Sequence, residues 1–341
     1  MRRLMGLVLG CSLSALGPRL TPASIGPVAP DLPALCHRAD LIVVGQATGV
    51  REDGATTLVD SGATYPARLM VVDLDVERAL KGTASGRIVT FTFAVPTVPV
   101  VSVGGVGVAG GQFGIFFLRR GPGGYEVVDP YYPFVIAAPG APETSGTLVD
   151  QVIAEVAYVL DSPGAPAGLK RQAVSVLASS RTPVATGALR AAARNQPLNI
   201  RLAAIGVLLA RNDISFLAEA QRILLSNDPR IDESSRDNVA FAIRDGVKDP
   251  RAIPFLVPLL PSRDVYVRRG AASALRNTHD AAAVKPLAEA LYDTDREVRY
   301  YAVVGLGETT GQNEWTPSID YFQQNEQRFL NHWREWAKSR K

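Results

Sequence analysis

The chain has 341 residues, 47% of them hydrophobic and 20% charged, the balance of a folded soluble protein rather than a disordered one. That length allows two domains with separate cores. Its 36 basic and 33 acidic residues give a net charge of +3, and Arg2, Arg3 and Arg19 account for the whole excess. The remainder is neutral, without the basic surplus on which sequence-independent nucleic-acid binding depends.

Met1-Arg2-Arg3 precedes a short apolar stretch, Leu4–Leu16, then Gly17-Pro18 and the small residues Thr21–Ser24. A positive start, a brief apolar core and a small-residue cleavage zone predict an export signal over residues 1–23. A membrane anchor would need about 20 apolar residues, and Arg19 interrupts sooner. No later run is apolar enough to span a bilayer, so the mature chain is expected in the periplasm or at the cell surface. Loss of Cys11 with the signal leaves Cys36 without an intramolecular partner, a small packed residue. A minor alternative takes Val8-Leu9-Gly10-Cys11 as a lipoprotein box with Cys11 lipidated.

From Asp40 to Ala138 the period is that of strands. Leu41–Val50 is an apolar, β-branched run ending at a turn signal, Arg51-Glu52-Asp53-Gly54. Met70, Val72, Leu74 and Val76 alternate with Val71, Asp73, Asp75 and Glu77, which places the carboxylates on a solvent face. Arg87–Phe93 and Gln112–Leu118 repeat the period of two, with Val89, Phe91, Phe93 and Phe113, Ile115, Phe117 as inward candidates. Gly121-Pro122-Gly123-Gly124 then turns the chain into Tyr125–Val128, and Pro96–Gly111 reads as a long loop. About five strands in a hundred residues fit a small antiparallel barrel or sandwich. Ala39-Asp40-Leu41-Ile42-Val43-Val44-Gly45, the strand end Ala79-Leu80-Lys81-Gly82 and Gly114-Ile115-Phe116-Phe117-Leu118 resemble the small barrel, OB- or netrin-like, near the start of many exported bacterial proteins. Ala137–Thr147 is a linker by composition, and Leu148–Leu160 has the spacing of one helix, ended by Asp161–Gly168.

From Leu169 the period is helical and the sequence repeats. Asp264-x-x-Val267-Arg268-x-x-Ala271-x-x-x-Leu275 returns as Asp295-x-x-Val298-Arg299-x-x-Ala302-x-x-x-Leu306, a shift of 31 (267 to 298). Lys170…Leu177 and Arg201…Leu208 keep the same register, with Arg236…Ile243 a poorer copy. Ile253-Pro254-Phe255-Leu256 likewise precedes Val284-Lys285-Pro286-Leu287 by 31 (253 to 284). A repeat of two helices at this period predicts an α-solenoid, each unit burying its apolar face against its neighbours. The Asp-x-x-Val-Arg-x-x-Ala pattern followed by an Ala-Val/Ile helix with an early proline resembles HEAT repeats, especially the short, armadillo-like kind first noted in phycobilin-lyase-related proteins. Ala271, Ala272, Ala274, Ala302 and Gly305 are small where helices approach, and Leu275 and Leu306 fill the seam. Asp264 and Asp295 are candidate helix caps. The resemblance implies that Arg268 and Arg299 reach a neighbouring unit's Asp as a structural ladder. Thr316-Pro317-Ser318 opens a last helix whose Phe322, Phe329, Trp333 and Trp336 share one face and would close the stack.

The expected organisation is therefore α+β multidomain: signal peptide (1–23), N-terminal antiparallel β-barrel or sandwich (24–138), linker and connecting helix (139–168), an all-α HEAT-like α-solenoid (169–312) and a capping helix (313–341). His37, His279 and His332 lie in separate regions without metal-ligand spacing, no Gly-x-Ser-x-Gly elbow is present, and the Gly104–Gly111 glycines lack a phosphate-loop Lys-Ser/Thr. No catalytic residue, metal or cofactor is assigned. Bilin attachment is tied to no motif here, and Cys36 lacks the Cys-x-Cys of metalloprotease-inhibiting netrin-like barrels. The function expected is non-catalytic, scaffold-like recognition of an envelope protein or peptide. In HEAT arrays the Val-Arg helices line the concave side. Their outward positions include Arg269 and Tyr300, equivalent at a shift of 31, and Arg244 and Arg276, at a shift of 32. Arg and Tyr are enriched at binding hot spots. The competing reading is an enzyme whose site lies in the barrel or at the domain junction, near Tyr131, Tyr132 and the Pro96–Gly111 loop.

Overall fold

The computed structural model describes residues 30–60, 62–98, 107–226 and 228–340. The expected export signal and Cys11 lie outside them, as does the middle of the Pro96–Gly111 stretch. A short helix, α1 (Leu32–Arg38), leads into β1 (Leu41–Asp60), β2 (Ala63–Lys81), β3 (Ile88–Pro96), β4 (Phe113–Gly121), β5 (Gly124–Val127) and β6 (Val135–Ile136). The strand order β1-β2-β3-β5-β4 closes by a β4–β1 pairing, and β6 is added at β4, so the first five strands form a ring. One pairing, β3 with β5 at Phe91↔Tyr125, is parallel. The other pairings are antiparallel, so the expected small antiparallel barrel is present with this one departure. An odd number of strands cannot alternate direction all the way round a ring, so one neighbouring pair must run the same way.

The Arg51–Gly54 turn is also corrected. β1 runs on to pair Asp60 with Ala63, and its register against β2 shifts between Glu52 and Ala55. Gly54 takes a φ of +108°, so this glycine serves a β-bulge instead of a reversal.

Leu41, Val43, Val72, Leu74, Phe91, Phe116 and Leu118 fill the ring's interior, with Phe91 and Phe116 at 5.4 Å between centroids. Ile115 and Phe117, expected inward, instead join Ile42 and Val44 on the outer face, under the helices. β4 is covered on both faces, which removes the polar alternation that would have told its sides apart.

The helices are α2 (Leu148–Asp161), α3 (Ala167–Ala178), α4 (Pro183–Asn195), α5 (Leu198–Ala210), α6 (Leu217–Leu225), α7 (Glu233–Gly246), α8 (Ile253–Leu256), α9 (Val265–Asn277), α10 (Val284–Ala290), α11 (Arg296–Thr310) and α12 (Ile319–Lys338). α2 does not merely connect. Its Val152, Ile153, Val156 and Val159 are fully buried, and one apolar cluster runs from Leu32 through α2 to Trp333. Ala137, Ala138 and Ala141 of the supposed linker are buried as well. Arg78 of β2 meets Glu155 of α2, with Nε 2.9 Å from Oε1 and Nη2 on Oε2. Lys81 Nζ donates to the Cys36 carbonyl at 3.0 Å and closes the end of α1.

Beyond α2 the helices form successive pairs, with α5, α7, α9 and α11 packed side by side. Asp232 and Asp264 cap α7 and α9 by accepting backbone N–H groups, both at 2.8 Å, and Asp295 caps α11 at 3.1 Å. Pro254 and Pro258 break the partner helix of α7 into the four residues of α8 between two 3-10 turns. Close approach explains two glycines: a Cβ on Gly270 would lie 2.7 Å from the Ala240 carbonyl, and one on Gly305 would lie 2.8 Å from Leu287. α12 buries Phe322, Phe329, Leu330 and Trp333 against the end of the stack, and His332 stacks on Trp315 at 3.6 Å.

Candidate partner-binding surface

Two neighbouring registers on the Val-Arg helices have different fates. The first holds Lys170, Arg201, Arg236, Arg268 and Arg299, seven residues before each seam aliphatic, and is basic in all five units. These side chains point into the stack. Lys170 Nζ donates to the Leu160 carbonyl at 2.6 Å, Arg201 pairs with Glu219, and Arg236 Nη1 donates to the Ser226 carbonyl at 2.7 Å. Arg268 binds the Ser262 carbonyl at 3.0 Å and Asp293 at 2.9 Å. Arg299 binds the Asp293 carbonyl at 2.7 Å and Glu326 at 2.6 Å. The ladder is present, but its acids are Asp293 and Glu326; the cap Asp295 is used otherwise.

One residue further on, the second register holds Arg171, Leu202, Asp237, Arg269 and Tyr300, different in nearly every unit. Arg171 of this register is exposed, Asp237, Arg269 and Tyr300 are half-buried, and Leu202 is buried. Arg269 grips the cap Asp295 with two bonds of 2.9 and 2.7 Å and also pairs with Glu297 at 2.9 Å. Hydrogen bonding from Arg269 holds the Asp295 carboxyl below its ordinary range. Tyr300 packs on Phe322 at 5.5 Å and Tyr301 at 5.7 Å. Tyr301 donates to Glu297 at 2.9 Å, and burial, with that carboxylate, pushes its pKa up to about 12. Arg269, Glu297, Tyr300, Tyr301 and Ile319 line an open concavity of about 500 Å³ between α9, α11 and α12.

The other two predicted residues lie on the same helices. Arg276 of α9 makes a two-bond pair with Glu308 at 2.8 and 2.7 Å. Arg244 of α7 pairs with Asp245 at 2.8 Å and lies 4.8 Å over the Phe241 ring. The three arginines and Tyr300 thus share α7, α9 and α11, but none of the arginines is a free cation. A second concavity, about 390 Å³, runs between α5 and α7 over Ala203, Gly206, Val207, Phe241 and Ala242. Sequence reasoning missed this groove. Nothing in the sequence marks it: Gly206, whose added Cβ would meet nothing within 4 Å, shares that open space with glycines elsewhere, such as Gly168 and Gly187.

A cavity of about 480 Å³ does lie at the junction of barrel and helices, lined by Gly110, Gly111, Ala138, Ser162 and Leu169 among others. Tyr131 and Tyr132 do not line it. Among the described residues no group of three His, Cys, Asp or Glu side chains could hold a metal ion, and no helix is long and apolar enough to cross a membrane.

Residues 224–307 match the protein-family model described as HEAT repeats. The match covers the end of α6 through most of α11, where the sequence repeat is most regular, and so includes Arg244, Arg269, Arg276 and Tyr300. HEAT repeats are typically protein-interaction scaffolds. No curated protein is significantly similar to the chain.

Proposed function

We propose that this protein is a non-catalytic scaffold that recognises a protein or peptide on the outer face of α5, α7, α9 and α11. The observation that carries the reading is the contrast between the two registers. The inward position is basic in five of five units, whereas the adjacent position is Arg, Leu, Asp, Arg and Tyr, buried only at Leu202. Packing needs the same residue in every unit; recognition of one partner needs a different one at each step. Leu202, Arg269 and Tyr300 of this register border two broad concavities with aromatic walls, the shape suited to a chain segment. The short repeat of phycobilin-lyase-related proteins is the type proposed, together with export by the signal of residues 1–23 to the periplasm or cell surface.

The test uses Gly206→Arg, which fills the α5/α7 groove from a position with open space and raises helix propensity. Wild-type protein and variant, matched in circular dichroism, are used to capture and cross-link partners from the native envelope fraction. A partner retained by wild type, cross-linked to α5–α11 and lost with the variant is the expected result. Equal retention by both, or cross-links confined to the barrel, would refute the assignment. N-terminal sequencing of the mature protein tests export.

A further inference from the structure

The interface between α7 and α9 lacks a cation that its neighbour possesses. Between α9 and α11, Arg269 holds the cap Asp295 at 2.7 Å. The equivalent pair one unit earlier is Asp237 with the cap Asp264, two carboxylates. Asp237 Oδ1 is buried and has no hydrogen-bond partner. Desolvation, with Asp264 and Glu233, raises its pKa. The imbalance extends along the face. Asp237, Asp245, Asp264, Asp295, Glu297 and Glu308 supply six carboxylates against the three guanidiniums of Arg244, Arg269 and Arg276. Arg296, at the edge, is engaged by Glu326 of α12 at 3.2 Å.

Beside this acidic line runs the uncharged floor of Ala203, Gly206, Val207 and Ala242, walled by Phe241. Asp237 stands one turn before Phe241 on α7, and Tyr266 of α9 packs edge-on to Phe241 at 5.5 Å. An apolar groove flanked by excess carboxylate is complementary to a segment carrying both an apolar side chain and a cationic one.

We infer that the occupant of this face is a basic, apolar-anchored peptide segment of a partner protein, seated in the α5/α7 groove with a Lys or Arg at Asp237 and Asp264, where the next unit uses its own Arg269. This rests on the proposed protein-binding role and specifies the partner's chemistry. An acidic partner, or nucleic acid, would meet a surface of its own sign.

The experiment measures fluorescence anisotropy of three labelled 12-residue amphipathic peptides on the full chain. They share Leu and Phe positions and differ in having Lys, Gln or Glu at the remaining ones. The Lys peptide should bind at least about tenfold tighter than the Glu peptide, and the preference should fall with added salt. Asp237→Arg, which supplies the missing cation internally, should weaken the Lys peptide about five- to tenfold while leaving the Gln peptide unchanged. Gly206→Leu should weaken all three. Equal or tighter binding of the Glu peptide, or a Lys-peptide affinity indifferent to Asp237→Arg, would overturn the inference. If charge makes no difference but Gly206→Leu still abolishes binding, peptide recognition stands and only the partner chemistry fails. If no peptide binds and none is enriched from a random display library, both fail.

Discussion

The Arg78–Glu155 pair allows a quantitative test of how the barrel is held on the helices. Glu155 is 3% exposed and Arg78 15%, so both charges have left bulk water. Removing one partner from a buried pair costs about 3–5 kcal/mol, because the other is left uncompensated. The two deletions should not cost the same. After Glu155→Gln, Arg78 keeps Glu77 as a second carboxylate and one donor-to-amide hydrogen bond, so about 2 kcal/mol is expected. After Arg78→Met, Glu155 has no cation left, and about 4 kcal/mol is expected. Replacing both by apolar residues, Arg78→Met with Glu155→Leu, should return to within about 1 kcal/mol of wild type. Urea denaturation followed by far-ultraviolet circular dichroism and tryptophan fluorescence measures all three. Equal single costs, or a double variant as unstable as the two singles added together, would show that the pair does not carry the interface.

Three further outcomes follow from the packing. Gly270→Ala ordinarily stabilises a helix by about 1 kcal/mol, but here the new Cβ would press on the Ala240 carbonyl at 2.7 Å; a loss of about 1–3 kcal/mol in urea is expected. His332 has its pKa lowered by burial, with Glu314 and Glu335 opposing, so its contribution is present above the ordinary value of 6.5 and is lost as pH falls through the lower folded value. Fluorescence of the Trp315 neighbourhood should report that acid release of α12, and His332→Phe should flatten it. Asp237, raised above the ordinary 3.8, has the opposite sign: its contribution is full below 3.8 and declines as pH rises through the higher folded value. Asp237→Asn should therefore gain stability relative to wild type across that rise, measured by denaturation at successive pH values.

The helical half was legible because its determinants are local. The seam aliphatics, small residues and capping aspartates act within one unit or between adjacent units, so they recur in the sequence at the period of the structure. The barrel was less legible because its closure joins β1 to β4, whose paired residues Leu41 and Leu118 lie far apart in the chain. No local pattern states that pairing. Nor could alternation orient β4, since α1 and α2 cover the face that would otherwise be polar. Gly54 marked a break in β1 correctly but not its kind, because a bulge and a turn both use a glycine at positive φ.

The candidate site shows a sharper division. Register alone brought Arg269 and Tyr300 together, and the fold places both on one concavity. It could not show that Arg269 was already held by Asp295, because the sequence offers that cap equally to Arg268, one residue away and on another side of the helix. In the folded chain Arg268 turns inward to Asp293 and Arg269 outward to Asp295. Arg244, Arg269 and Arg276 are therefore part of a fixed, paired frame, and specificity falls to the positions where the frame is broken. Asp237 is such a break, a carboxylate where the next unit has a guanidinium, beside a groove deepened by the missing side chain of Gly206. Neither is a conspicuous binding residue, because one is an ordinary acid and the other has no side chain. In a repeat array the informative residue is the one that disagrees with its own equivalents, and at this face the disagreement asks for positive charge and apolar bulk from outside the chain.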